Sequence, residues 1–250
     1  MSRVPAELPD LLTVASVPQI AAALAHASTA LGLGLDRRDV CLLLAQVAFE
    51  TGLGKSMHRW NLGNAKHVDG DGRDWCSFAC TEVLHGREVW FFPPAPACRF
   101  RAFRSLDEGA VDYLSMMRRT FRSAWPALLS GDPVAFVSAL KAAHYFTADV
   151  GLYTRGVSSI FTSVLARMPE DLETTVMPWT ADDELEVGAL CPGNAATLTS
   201  TGVCLPLPMV DAESLSEALS EEQLACYEAG LSLARADLEA EPLTQPTGKA

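Results

Sequence analysis

The sequence contains no apolar run of the roughly 18 residues that a membrane-spanning helix needs, so no transmembrane segment and no membrane partner are expected. It also has no regular cysteine framework. The seven cysteines, Cys41, Cys76, Cys80, Cys98, Cys191, Cys204 and Cys226, are odd in number and irregular in spacing, which argues against a disulfide scaffold and for synthesis in a reducing compartment. Cys76, Cys80, His85 and Cys98 match no common zinc-ligand spacing; small packed thiols are expected there, and no metal. Basic residues are scattered, without the stripe and interleaved aromatics that follow a nucleic acid backbone, so no nucleic acid partner is expected.

What is present is a chain of 250 residues, 49% apolar and only 20% charged, enough for one core and a small appendage. Charge divides it. Residues 1–168 hold 17 Lys+Arg against 15 Asp+Glu, a net +2, whereas residues 169–250 hold 2 against 16, a net −14. Three parts follow: a folded unit over 1–168, a Pro-, Thr- and Gly-rich connector over 169–210 with no sustained period, and an acidic tail over 211–250. In the tail, Ser220 and Gln223 have capping-box spacing, and Leu224, Tyr227, Leu231, Ala234 and Leu238 recur every three or four residues, the stripe of an amphipathic helix. That helix either packs on the folded unit or docks to a protein partner through residues 211–240.

Within the first part the signals are mainly helical. "LLTVASVPQIAAALAHAS" could pass for an export signal, but Glu7 and Asp10 precede it and Pro18 and Gln19 interrupt it, so a structural helix is expected. Asp36 to Phe49 carries an apolar face, with Val40, Leu43, Leu44 and Val47, and stops at Gly52 and Gly54. Ser105 and Glu108 have capping-box spacing, and Asp132-Pro133 is an N-cap followed by a proline at the first helical position. Residues 74–104 are rich in aromatic and β-branched residues around His85-Gly86, which predicts a hairpin. The expected fold class is α+β, mainly α, with a small β lobe inserted among helices.

Glu50 stands out in "LLLAQVAFETGLGKS", where a buried helix delivers one carboxyl to a Gly-rich bend. Burial and the negative end of the helix dipole both disfavour its charged form. A carboxyl that keeps its proton is what glycoside cleavage needs, because the glycosidic oxygen is a poor leaving group until protonated. The plain alternative is a solvated residue at a helix end.

Three ordered blocks decide between these. "AQVAFETGLGKS" with "NLGNAK", then "CTEVLHGREV" with "FRAFRSLDEGAVDYLSMM", then "ALKAAHYFTADVGLYTRGV" resemble the lysozyme-like endo-β-N-acetylglucosaminidases of peptidoglycan, glycoside hydrolase family 73, across most of residues 15–168. The resemblance implies a lysozyme-like helical domain, Glu50 as general acid, Glu82 as a second carboxylate on the hairpin, and Tyr145 as the active-site tyrosine. It implies sugar-binding roles for Asn61, Asn64, Lys66 and Tyr153, beside Trp60, Trp90 and Phe91, whose rings can stack on sugars or simply pack. Glu82 as a cross-strand surface partner and Tyr145 as a core tyrosine are the structural alternatives. "NLGNAK" lacks the family's usual Phe before Gly, and in "YFTADV" Ala148 separates Thr147 from Asp149, so the subsites are expected to differ.

The implied activity is hydrolysis of β-1,4 bonds in peptidoglycan glycan strands without a cofactor. Its rivals are a non-catalytic glycan-binding module and a lytic transglycosylase, which shares the single helical Glu. Because no export signal is evident while peptidoglycan lies outside the membrane, delivery by a phage or injection-type machine is expected.

Overall fold

The computed structural model describes residues 4–84, 87–146, 148–170 and 180. Apart from residues 169, 170 and 180, the connector and the acidic tail expected from the sequence lie outside the described residues.

The stretch expected as one N-terminal helix is divided. Leu12–Thr13 form strand β1 and helix α1 runs only over Val17–Ala30. The cause is local: Ser16 and Gln19 cap each other reciprocally, and Pro18 is tolerated only in a first turn, where its missing N–H has no partner to lose. Helix α2, Arg37–Glu50, starts from a reciprocal cap between Asp36 and Asp39. Its residues 41–48 are all buried, and Leu42, Leu43 and Leu44 have no exposed surface. A helix that is apolar all round has no solvent face and must lie inside. Both α1 and α6 (Val150–Arg167) pack against it.

The β elements form three two-stranded sheets among the described residues. Strand β2, Met57–His58, pairs antiparallel with β1. Strands β3 (Trp75–Ser77) and β6 (Arg99–Arg101) pair antiparallel with Cys76 opposite Phe100, and between them β4 (Cys80–Leu84) and β5 (Arg87–Phe91) form the expected hairpin. The cysteines of this lobe are packing residues: Cys76 and Cys98 are fully buried, and burial pushes the Cys76 thiol up to about 12.

Helix α3, Leu106–Arg119, begins at Ser105, whose hydroxyl accepts the Glu108 amide, but the Glu108 carboxylate reaches the Arg104 amide at 2.9 Å and not the cap's own. Helices α4 (Trp125–Leu129) and α5 (Pro133–Ala142) follow, the latter capped by Asp132 with Pro133 in the first turn as the sequence predicts. The result is the mainly helical α+β architecture with a small β lobe that the sequence leads one to expect.

A buried ionic cluster ties the β lobe to α3. Arg101, 2% exposed, bonds Asp71 at 3.3 Å and Asp112 at 3.1 Å, and Asp112 also receives Arg73 at 2.5 Å. His67 Nδ1 stands 3.2 Å from Asp71 without hydrogen-bond alignment. Burial alone would raise the Asp71 carboxyl, but His67, the Arg73 amide and Arg101 outweigh it and hold it below the usual carboxylate range. Removing one member of a buried pair leaves an uncompensated charge. Arg101→Met should therefore lower stability by about 3–5 kcal/mol at neutral pH in urea unfolding. Because Asp71 is depressed in the folded state, its contribution is present above about pH 4 and is lost as pH falls through the lower folded value, so the gap between wild type and variant should narrow in acid.

Candidate active site

Glu50 closes α2, and with Phe49 it is half-buried after eight fully buried residues. The helix stops there because Thr51 turns back on it: the Thr51 hydroxyl donates to Val47 O at 2.7 Å and accepts the Gly54 amide at 3.0 Å. Phe49 locks the same turn sideways. Its ring meets Tyr153 edge-on at 4.7 Å and occupies the space where a Cβ on Gly156 of α6 would lie 2.2 Å from Cε2. Glycine at that point lets α2 and α6 come close enough for Tyr153 to reach the carboxyl.

Tyr153, Gln46 and Asn64 reach Glu50, and Tyr113 stands behind Gln46. Tyr153 donates to Oε1 at 2.6 Å, and the Gln46 amide, one turn earlier on α2, donates to the same oxygen at 3.4 Å and to Tyr153 Oη at 2.9 Å. Tyr113 of α3 donates to Gln46 Oε1 at 2.5 Å. From the opposite side Asn64 Nδ2 reaches the Glu50 main-chain carbonyl at 3.2 Å and Oε2 at 3.5 Å. Burial first, and then the Glu50 charge, push the hydroxyls of Tyr113, Tyr145 and Tyr153 well above the ordinary tyrosine range. They are donors at any working pH and not bases.

The loop that carries Asn64 is held in a costly conformation. Leu53, Arg59, Trp60 and Asn64 all have positive φ, between 48° and 61°, a region that strains side chains other than glycine. Strand β1 and the residue before it secure part of it, since the Trp60 amide donates to Thr13 Oγ1 at 2.9 Å and the Arg59 amide to Leu11 O at 2.9 Å. Asn61 secures the rest. It is 2% exposed, donates to the carbonyls of Ala65 and Arg101 and accepts the Ala65 amide. Backbone strain maintained by specific bonds beside a carboxyl is characteristic of functional sites.

The residues nominated from the sequence therefore separate. Glu50, Asn64 and Tyr153 come together, with Tyr153 buried against the carboxyl and stacked on Phe146 at 3.8 Å. Tyr145 joins them through the loop, its hydroxyl donating to Gly63 O at 2.9 Å. Asn61 holds the turn from within. Lys66 faces the β lobe, donating to Ala97 O at 2.7 Å with its ammonium 3.8 Å from the Phe100 ring centroid. Trp60 is half-buried against the main core. Glu82 lies on β4 opposite Val89, and its side chain is outside the described residues. Trp90 is 50% exposed on the hairpin, its ring nearly parallel to that of Phe92 at 6.1 Å.

Sequence reading missed Gln46 and Tyr113, and on the hairpin it nominated Phe91, which is buried against Ala97 and Cys98 because it faces inward, in place of the exposed Phe92. A sequence signal existed for Gln46: it is the one amide in the apolar run, four residues before Glu50 and thus on the same helix face. Phe92 was readable as the residue two beyond Trp90 on the same face of a strand continuation. Nothing local marks Tyr113, whose role depends on how α3 packs against α1 and so brings this hydroxyl to α2. A surface cavity of about 580 Å³ between residues 72–74, 102–104 and α3 is lined by none of the nominated residues.

Gly63 sets the distance between loop and tyrosines. A Cβ there would lie 2.8 Å from Tyr145 Oη and 3.0 Å from Tyr113 Cδ2. Gly63→Ala should lower stability by about 1–3 kcal/mol through overpacking, read by chemical denaturation. An unchanged midpoint would mean that the loop does not bear on the tyrosines.

No protein-family model matches the chain, and no curated protein matches it significantly. Two solved structures are similar to it. One is a peptidoglycan hydrolase mutant from Sphingomonas sp. A1, 25% identical, with a TM-score of 0.44 over 56% of this chain and 86% of that one. The other is the C-terminally truncated glycoside hydrolase domain of FlgJ from Salmonella typhimurium, 20% identical, with a TM-score of 0.41 over 60% of this chain and 99% of that one.

Proposed function

We propose that this protein is a peptidoglycan hydrolase, an endo-β-N-acetylglucosaminidase that cleaves β-1,4 bonds of the glycan strand with Glu50 as general acid. The observation that carries the reading is the half-buried Glu50 carboxyl at the end of a buried helix, approached on one oxygen by Tyr153 and Gln46 and on the other by Asn64. A carboxyl held so closely has lost its rotational freedom before substrate arrives, which is how a positioned acid gains over a free one. The motif resemblance through residues 15–168 supports the same assignment and the substrate class.

In this mechanism Glu50 protonates the glycosidic oxygen as the bond to the anomeric carbon breaks. Hydrolysis is then completed in one of two ways: water activated by Glu82 from the hairpin attacks the anomeric carbon, or the substrate's own acetamido oxygen bonds to that carbon as the leaving group departs and water opens the resulting ring. The exposed Trp90–Phe92 pair offers an apolar, flat surface of the kind sugar rings stack on. No cofactor is needed for these steps. Delivery to the wall is by a phage or injection-type machine, with residues 211–240 as the segment that docks to it.

Glu50→Gln replaces the proton donor by a near-isostere. Release of soluble fragments from purified sacculi should fall by about 100- to 10,000-fold, with thermal stability retained. Wild-type activity in that variant sinks the assignment. Glu82→Gln should cost less than Glu50→Gln, because the acetamido group can replace a base on the hairpin; equal losses would require both carboxylates.

A further inference from the structure

Tyr113, Tyr153 and Glu50 share a single amide. Gln46 has no exposed surface, accepts from Tyr113 at 2.5 Å, and donates Nε2 to Tyr153 Oη at 2.9 Å and to Glu50 Oε1 at 3.4 Å. A primary amide is not symmetric: its oxygen only accepts and its nitrogen only donates. Turned over, Gln46 Oε1 would face Glu50 Oε1 across the same 3.4 Å, two acceptors in contact whenever Glu50 is ionised. The Tyr113 hydroxyl works against that orientation by donating to the amide oxygen on the far side. With the amide so fixed, Tyr153 accepts from Gln46 and must send its own proton on to Glu50 Oε1, 2.6 Å away.

We propose that Gln46 and Tyr113 are positioning residues of the hydrolase site, which orient this hydrogen-bond chain so that Oε1 of Glu50 always accepts and Oε2 alone carries the transferable proton. This rests on the reading of Glu50 as general acid. Oε2 is the oxygen on the Asn64 side, 3.5 Å from Nδ2, so the scissile oxygen approaches Glu50 from the strained loop and not from the tyrosines. Among the described residues, the titratable groups facing Glu50 include Tyr113 on α3, Tyr145 after α5 and Tyr153 on α6, while Gln46 on its own helix and Asn64 on the loop are neutral. Burial keeps all three hydroxyls protonated, so the direction of the chain does not change with pH through the neutral range.

The sign of the effect follows. Donors on an ionised carboxylate favour that form, so releasing them makes Glu50 hold its proton to higher pH. Two variants release the Gln46 donor differently while Tyr153 stays in place: Tyr113→Phe frees the amide to turn over, and Gln46→Met removes it. Glu50 is followed in the full chain by carboxyl 13C NMR, its signal assigned by its loss in Glu50→Gln. In both variants its titration midpoint should rise by about one pH unit. The alkaline limb of kcat on purified peptidoglycan should rise by the same amount while KM changes less than about twofold.

A merely structural role would lower the melting temperature and leave the midpoint where it was. That result, in either variant that still folds, overturns the proposal. The two readings fail separately. A shifted midpoint in a protein that never cleaves sacculi keeps the hydrogen-bond chain and removes the hydrolase. An active enzyme with the same midpoint in all three proteins keeps the hydrolase and removes the chain.

Discussion

A helix that is apolar on every side can only be stable where other elements surround it, and α2 meets that condition between α1 and α6. Burying Leu42, Leu43 and Leu44 alone contributes about 5–9 kcal/mol. Gln46, in the same buried run, would cost about 1–3 kcal/mol for each polar group left unpaired. The surplus is enough to carry a buried amide, but only one whose donor and acceptor ends both find partners. Tyr113 and Tyr153 are those partners, and the bonds that satisfy Gln46 are the same ones that lead to Glu50.

The rest of the site is arranged around the end of that helix. Glycine at 156 lets α6 approach, and glycine at 63 lets the loop settle against Tyr145 and Tyr113. The positive φ angles between residues 53 and 64 raise the local energy, offset by β1 and by Asn61, which holds the turn with three bonds. Farther away, the Asp71–Arg101–Asp112 cluster joins the β lobe to α3 and so indirectly to Tyr113.

Much of this was legible in the sequence because it is local. Caps at Ser105 and Asp132, the helix from Asp36, the hairpin at 80–91 and the end of α2 before Gly52 all depend on residues within a few positions of one another. The start of α1 was misjudged because an apolar run looks helical even where Leu12 and Thr13 pair with a distant strand. Glu50 could be nominated from its helix, whereas its partners on α3 and α6 lie 63 and 103 residues away and are brought in only by packing. Lys66 and Asn61 carry the right chemistry for sugar contacts, yet the backbone around them uses their polar atoms. Spacing alone cannot tell these two uses apart.

The central claim is that a single positioned carboxyl cleaves a glycan strand by hydrolysis. Mass spectrometry of the material released from purified sacculi tests it in one measurement, because bond, activity and reaction class all appear in the fragment masses. The account predicts soluble muropeptides that end in a reducing N-acetylglucosamine. Fragments with a 1,6-anhydro end, or sacculi that bind the protein and release nothing, would contradict it.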